Sequence, residues 1–188
     1  KSMDFKFLQL LFFELNKKLL DSPFTEGLDK NSFFPYLRSV ANSIQLYREE
    51  NVAIQAEMSV LAQQYGVISS KMSIEVDGKE YTLQQAAKFL QNPDRQLRET
   101  VFRKIAARRL QDKDQLNELF DQLLVRRQQV AKNAGFDNYR DYKFKELGRF
   151  DYTPEDCFAF HAAVKEHIMP LQKMLVEHRR KRLGLDQM

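Results

Sequence analysis

The stretch NPDRQLRETVFRKIAARRLQDKDQLNELFDQLLVRRQQVAKNAG, residues 92–135, decides the fold class of this 188-residue chain. Its apolar residues recur at spacings of three and four, which predicts two helices. They are Leu97, Val101, Ile105 and Ala106 in the first helix, and Leu116, Leu119, Phe120, Leu123, Val130 and Ala134 in the second. We expect Asn92 to cap the first helix with Pro93 at its first position, and Gly135 to end the second. The short break between the helices favours an antiparallel pair.

Just upstream, the segment KMSIEVDGKEYT (residues 71–82) has a two-residue period. Apolar and polar residues alternate from Met72 to Val76, which is typical of a strand with one buried face. The dipeptide Asp77-Gly78 favours a two-residue hairpin turn, because both central positions of that turn need a positive φ. The predicted cross-strand pairs are Ile74 with Tyr81 and Glu75 with Glu80. An isolated hairpin is marginally stable, so it must pack against helices.

The first part of the chain has three further segments with helical spacing, over residues 4–20, 35–49 and 51–66. The first carries an apolar stripe of Phe5, Leu8, Leu11, Phe12, Leu15 and Leu19. The third is expected to end at Gly66 and to form a hairpin with the second. The fold class is therefore mainly α, a multi-helix bundle of antiparallel helical hairpins with one small β-hairpin at about residues 72–82. We divide the chain into an N-terminal helical hairpin region, 1–70, and a scaffold of the β-hairpin and long helices, 71–188.

Composition excludes several classes of protein. With 43% hydrophobic residues the chain can bury a core, so it is not a disordered tail. The apolar run FLQLLFFEL, residues 7–15, is too short to span a bilayer and lacks the cleavage site of a signal peptide, so we interpret it as part of a core helix. A single cysteine, Cys157, cannot form an internal disulfide and suits a reducing compartment. The expected location is the cytoplasm, with no membrane partner.

The net charge of +4 and pI near 9.1 raise the question of nucleic-acid binding. Basic residues gather at 103–109, 125–129 and 178–182, but 26 acidic residues are spread among them. Helix surfaces are often this basic, so the charge pattern disfavours nucleic acid as a partner without excluding it.

The aromatic connector, which we define as residues 136–157, joins the long helices to a last helix that reaches about Leu183. Its aromatic members are Phe136, Tyr139, Tyr142, Phe144, Phe150 and Tyr152. Together with the basic residues among them, they either stack on bases or hold peptide side chains, or they fill the junction between two helical layers, and the last interpretation is favoured. At the end of the connector, Thr153 is predicted to cap the last helix, with Pro154 at the first position and Asp156 completing a capping box.

The last helix holds the residues that most resemble a reactive site. His161 and His167 are six residues apart and point about 120° away from each other on a helix, so they cannot share a metal ion. His167 and His178 share a face but stand about 16 Å apart along the axis. Glu166 beside His167 lacks an orienting group, and so does a cysteine–histidine pair of Cys157 with His161. The histidines are therefore interpreted as surface residues.

Two other features of the chain have simple structural interpretations. Pro170 is expected to kink the last helix near His167 because it lacks a donor and crowds the carbonyl of Glu166. The acidic residues Asp112, Asp114, Asp137 and Asp141 lack the loop spacing of a calcium site, and helix capping explains them better.

Three segments resemble the oligoendopeptidase F group of zinc metallopeptidases, which is related to thimet oligopeptidase and neurolysin. They are VDGKEYTL (76–83), NPDRQLRE (92–99) and AGFDNYRDYKFKELGRFDYTPED (134–156). The resemblance covers residues 71–186 well and the first seventy more loosely. It implies an all-α, deep-grooved enzyme whose zinc is held by a His-Glu-x-x-His helix and a later glutamate.

The chain departs from this pattern, because its 188 residues contain no His-Glu-x-x-His. The resemblance implies that the motif lies downstream, so we interpret the chain as the non-catalytic N-terminal part of such an enzyme. We assign it no catalytic residue and no metal ligand. The sequence does not identify the residues that contact substrate. The expected partners are the missing C-terminal catalytic domain, short peptide substrates in the full-length enzyme, and a second copy of the fragment. The alternative is a self-standing helical module that binds protein or RNA.

Overall fold

The computed structural model describes residues 2–186, and it describes side chains for residues 7–29 and 31–186. The described residues are mainly helical and include one small antiparallel hairpin, so the predicted fold class is confirmed. The chain forms two compact units, one up to Lys143 and one from Phe144 onward.

The chain begins with three long helices, α1 (Ser2–Leu20), α2 (Lys30–Leu46) and α3 (Glu49–Ser70), and a 3-10 turn at Pro23–Gly27 follows α1. Helix α1 contacts both α2 and α3, and the contacts include side-chain hydrogen bonds from Gln9 to Gln55 and from Asn16 to Ser43. Helix α2 thus packs chiefly on α1, and the predicted α2–α3 hairpin is not a main contact of either helix.

Two predicted helix ends in this region are wrong. Helix α2 begins five residues before Pro35, because the Asp29 carboxylate accepts a hydrogen bond from the Ser32 N–H and caps an earlier start. Helix α3 continues through Gly66 to Ser70. Gly66 does not have the positive φ of a C-terminal glycine, so it costs helix stability without ending the helix.

The apolar stripe of α1 is only partly covered. Leu8, Leu11, Phe12 and Leu15 are each between 40% and 62% exposed, so α1 is not a core helix within this chain. The side chain of Phe5, the first member of the predicted stripe, lies outside the described residues.

The hairpin forms as predicted, with β1 (Ser73–Val76) and β2 (Lys79–Thr82) in antiparallel pairing. Ile74 pairs with Tyr81 and Glu75 with Glu80, and the turn residues Asp77 and Gly78 both have positive φ. The apolar face is buried and both glutamates are exposed, so their charges stay in water.

Two short helical pieces follow the hairpin. A capping box of Thr82 and Gln85 starts α4 (Leu83–Ala86), and a 3-10 turn follows at Ala87–Gln91. Helix α5 (Arg95–Gln111) is capped by Asp94, whose carboxylate accepts from the Gln96 N–H. The predicted Asn92 cap and Pro93 start are wrong, because the Asn92 side chain accepts instead from the N–H of Asp94.

Helix α6 (Lys113–Asn133) packs mainly on α3, and Gly135, with φ of 86°, ends it as predicted. Among the described residues, buried apolar side chains form three clusters. These are Leu46, Val130, Ala131, Ala134 and Tyr142; Leu61, Ile68, Met72, Leu119 and Leu123; and Ile74, Val76, Ala86, Val101 and Ile105. Phe120 and Ala106 were expected in the core, but both are exposed.

After α7 (Tyr139–Glu146), residues 154–183 form one long helical segment. It consists of α8 (Pro154–Ala163), a π-helical turn (Val164–Ile168) and α9 (Met169–Leu183). The predicted capping box of Thr153 with Asp156 starts it, and Gly184 ends it with a left-handed conformation.

Candidate functional site

The three histidines lie along the last helical segment and are all exposed. His161 is in α8, His167 in the π-helical turn and His178 in α9. Within residues 2–186 no group of three histidine, cysteine or carboxylate side chains is arranged to hold a metal ion. The donor set of a structural or catalytic zinc site needs at least three such ligands, so the described residues do not fit zinc.

The π-helical turn lies where the proline was expected to disturb the helix. The Met169 N–H donates to the carbonyl of Val164, five residues back, just before Pro170. A proline in a regular α-helix would crowd the carbonyl of Glu166, and widening the preceding turn relieves that crowding. The kink predicted near His167 stays a prediction, and the structure has a π-helical turn at this place.

The helix start that carries Cys157 is organised by capping. The Thr153 N–H and hydroxyl both donate to the Asp156 carboxylate, and these hydrogen bonds hold the pKa of Asp156 below its usual value. No hydrogen bond joins the Cys157 thiol to His161 in the part of the chain that the structure describes. The arrangement caps a helix and does not activate a nucleophile.

Two of the four aspartates considered for calcium, Asp112 and Asp141, pair with nearby side chains. Asp112 lies at the junction of α5 and α6, where its carboxylate pairs with Arg108. Asp141 accepts hydrogen bonds from Arg140 and from Asn138, and the Arg140 bond is the main cause of its lowered pKa. These groups do not converge on one point that an ion could occupy.

Most of the first basic run binds neighbouring parts of the protein. Lys104 donates to the main-chain carbonyl of Glu75 at 2.8 Å, and Arg108 donates to that of Lys71 at 3.4 Å. Both bonds tie α5 to the β-hairpin region. On the facing helices, Arg126 of α6 pairs with Glu57 of α3 at 3.0 Å. This use of basic side chains explains the charge run without a nucleic-acid partner.

A buried polar network joins the start of α3 to the end of α6, and sequence reasoning missed it. Asn51 is 2% exposed, and its amide donates to the Val130 carbonyl at 3.0 Å and accepts from the Asn133 amide at 2.7 Å. Arg48 adds a bond to the main-chain carbonyl of Asn133. The only hint in the sequence is an asparagine directly before Val52 in the first turn of α3.

The first half of the aromatic connector is part of the core. Tyr142 is 3% exposed and contacts the rings of Phe136 and Tyr139, with centroids 5.7 and 5.9 Å away. Arg127 covers the Tyr139 ring. This half fills a helix junction, as favoured from the sequence.

A cleft of about 740 Å³ lies at the C-terminal end of α3. We call it the α3–α5 cleft. The β2–α4 junction and parts of α5 and α6 complete its wall, and the side chains that matter for its chemistry are Tyr65, Ser69, Met72, Leu83, Arg109 and Leu116. None of the described residues that line it is acidic.

Comparison with known proteins identifies the family. The model of peptidase family M3 matches residues 88–188, which is more than half of the chain. The chain belongs to peptidase family M3. No curated protein matches this M3 chain by sequence.

Three solved structures resemble the M3 chain over nearly its whole length. A protein assigned as oligoendopeptidase F from Bacillus anthracis str. Ames superimposes with a TM-score of 0.89 over 97% of the chain at 23% identity, a level that supports the fold alone. A second protein assigned as oligoendopeptidase F gives 0.89 over 96% at 26% identity, and PZ peptidase A, solved with an inhibitor, gives 0.88 over 96% at 25% identity.

The M3 chain spans only about a third of these proteins, covering 34%, 32% and 32% of their lengths.

Among residues 2–186, no helix is both long enough and apolar enough to cross a membrane.

Proposed function

We propose that this chain is the non-catalytic N-terminal scaffold of a zinc-dependent oligoendopeptidase that hydrolyses short peptides in the cytoplasm. The observation that carries the proposal is the M3 match over residues 88–188 in a chain that spans about a third of its structural neighbours. In the complete enzyme, zinc would polarise the peptide carbonyl and activate water. The described residues here do not form its ligand set, and their role is to form a wall of the substrate cleft.

The isolated chain is expected to bind no stoichiometric zinc and to cleave no peptide. A protein extended past residue 188 through the catalytic part should do both. Metal analysis after gel filtration, together with cleavage of a quenched fluorescent peptide with and without a chelator, measures both properties. In the extended protein, replacing the glutamate of His-Glu-x-x-His with glutamine should abolish cleavage while zinc stays bound. One tightly held zinc per isolated chain, or chelator-sensitive cleavage by it, would contradict the proposal.

The exposed apolar residues of the last helical segment support a scaffold role. None of residues 154–183 is buried, and Phe160, Met174 and Leu175 are 67%, 68% and 70% exposed. Monomeric soluble proteins rarely leave so many large apolar side chains in water along one element. We propose that the remainder of the enzyme covers this surface in the complete protein.

In the isolated chain, a second copy is expected to cover the same surface. Light scattering over a concentration series should therefore show a mass that rises above that of the monomer. Changing Met174 and Leu175 together to glutamate should restore the monomer, whereas Gln172→Glu, an exposed control on the same helix, should not. A wild-type chain that stays monomeric at high concentration would refute the expectation.

A further inference from the structure

Arg109 differs from the other basic side chains near it. Arg103 pairs with Glu99 at 2.8 Å, Lys104 binds the Glu75 carbonyl, and Arg108 binds Asp112 and the Lys71 carbonyl. The exposed side chain of Arg109 forms no hydrogen bond or ion pair with any residue that the structure describes, and Arg109 lines the α3–α5 cleft. The cleft therefore contains a positive charge with no partner.

The rest of the cleft wall suits an apolar group beside an anion. Met72 is 5% exposed, and Leu83 and Leu116 are half-buried, so together they form an apolar wall. Ser69 and Tyr65, which both carry hydroxyl groups, also line the cleft. Small-molecule sites commonly combine an apolar wall with a few polar groups that fix the orientation of the ligand.

The charge of the cleft favours a carboxylate over a phosphate. A guanidinium group matches a carboxylate through two parallel hydrogen bonds. A single arginine balances the one negative charge of a carboxylate, whereas a phosphate carries up to two. A phosphate would also place oxygen atoms against the apolar wall of the cleft. A carboxylate directly attached to a carbon that bears an apolar side chain fits both halves of the wall.

We propose that the α3–α5 cleft binds the C-terminal carboxylate of a short peptide with an apolar last residue, with Arg109 as the carboxylate-binding group. This inference rests on the proposed function, since a peptidase scaffold meets short peptides. Its test is equilibrium binding to the isolated chain, which involves no zinc and no hydrolysis. Failure of the binding test would therefore leave the cleavage test of the proposed function unaffected.

The probe is N-acetyl-Ala-Leu with a free carboxylate, compared with its C-terminal amide. Titration of the ¹⁵N-labelled chain followed by NMR should show shifts of cleft residues, and binding roughly ten- to a hundredfold weaker for the amide, which lacks the charged hydrogen-bond acceptor. Arg109→Gln should weaken binding of the acid by a similar factor. Arg95→Gln removes the same charge from the exposed start of α5, outside the cleft, and should leave binding unchanged.

A second pair of variants tests whether the space in the cleft is needed for binding, without changing the charge of the cleft. Gly66 lines the cleft, and a Cβ there would meet no atom within 4 Å, so Gly66→Leu adds bulk to the wall with no clash at its Cβ and should abolish binding. Gly66→Ala is the matched control and should retain binding. Thermal melts of each variant confirm that it is folded.

Four outcomes would overturn the proposal. They are equal binding of acid and amide, equal loss in the Arg95 and Arg109 variants, tighter binding of inorganic phosphate than of the peptide, and loss of peptide binding in the protein extended past residue 188. The last would show that the rest of the polypeptide supplies the partner of Arg109. Retention of acid-selective binding in the extended protein would support the proposal.

Discussion

Asn51→Asp is expected to lower the free energy of unfolding by about 3–5 kcal/mol at pH 7, because it places an uncompensated charge in the core. The side chain keeps its size, so packing is preserved. The oxygen that replaces the amide nitrogen would face the Val130 carbonyl, to which Asn51 now donates at 3.0 Å. The hydrogen bond accepted from Asn133 would remain.

The loss should depend on pH in a direction that identifies its cause. Burial and the nearby carbonyl raise the pKa of the introduced carboxyl in the folded state above its unfolded value of about 3.9. The protonated form can donate to the Val130 carbonyl, so the deficit relative to wild type should be small below the unfolded pKa. It should grow as pH rises through the folded pKa, and remain constant above it.

Urea denaturation at pH 4 and pH 7 measures this difference. Asn117→Asp, which introduces the same charge at an exposed position of α6, should change stability by less than about 0.5 kcal/mol at either pH. If the two variants behaved alike, or if the Asn51 deficit grew at low pH, the buried network would not be a source of stability.

The buried network around Asn51 could not be predicted from the sequence. The partners of Asn51 lie 79 and 82 residues away, so no local pattern pairs them. The β-hairpin, in contrast, was predicted down to its residue pairs, because the turn chemistry of Asp77-Gly78 and the two-residue period specify it locally. Thr153, Asp156 and Gly135 were also placed correctly, since caps are local features.

The wrong helix ends have a common physical cause. Asn92 and Asp94 are both good caps, two residues apart, and the choice between them depends on which side chain reaches which N–H. Gly66 resembles a helix end in sequence, but the packing of α3 on α6 holds the helix through it. Tertiary contacts decide between local alternatives that are close in free energy.

The candidate site was predictable in outline only. Helical spacing alone separates His161 from His167, and the resemblance of the scaffold segments pointed to the M3 family before any fold was known. The unpaired Arg109 could not be distinguished from its neighbours, because the partners of Lys104 and Arg108 are carbonyl groups contributed by the β-hairpin region. Every residue has a main-chain carbonyl, so the sequence does not show which carbonyl accepts a side-chain hydrogen bond.

The second large effect is expected from Tyr142→Ala, which should reduce the free energy of unfolding by about 3–5 kcal/mol, the usual range for deleting a buried aromatic ring. Tyr142 is 3% exposed and lies in a cluster with Leu46, Val130 and Ala131. Removing the ring would leave a cavity between the end of α6 and α7 and would also remove two aromatic contacts.

Two variants separate loss of packing from other effects. Tyr142→Phe keeps the ring and should cost less than about 1.5 kcal/mol. Tyr36→Ala makes the same deletion at a side chain that is 56% exposed and should change stability by less than about 0.5 kcal/mol. Urea denaturation of the three variants gives the comparison. If Tyr142→Ala cost no more than Tyr36→Ala, the ring would not be needed for the core.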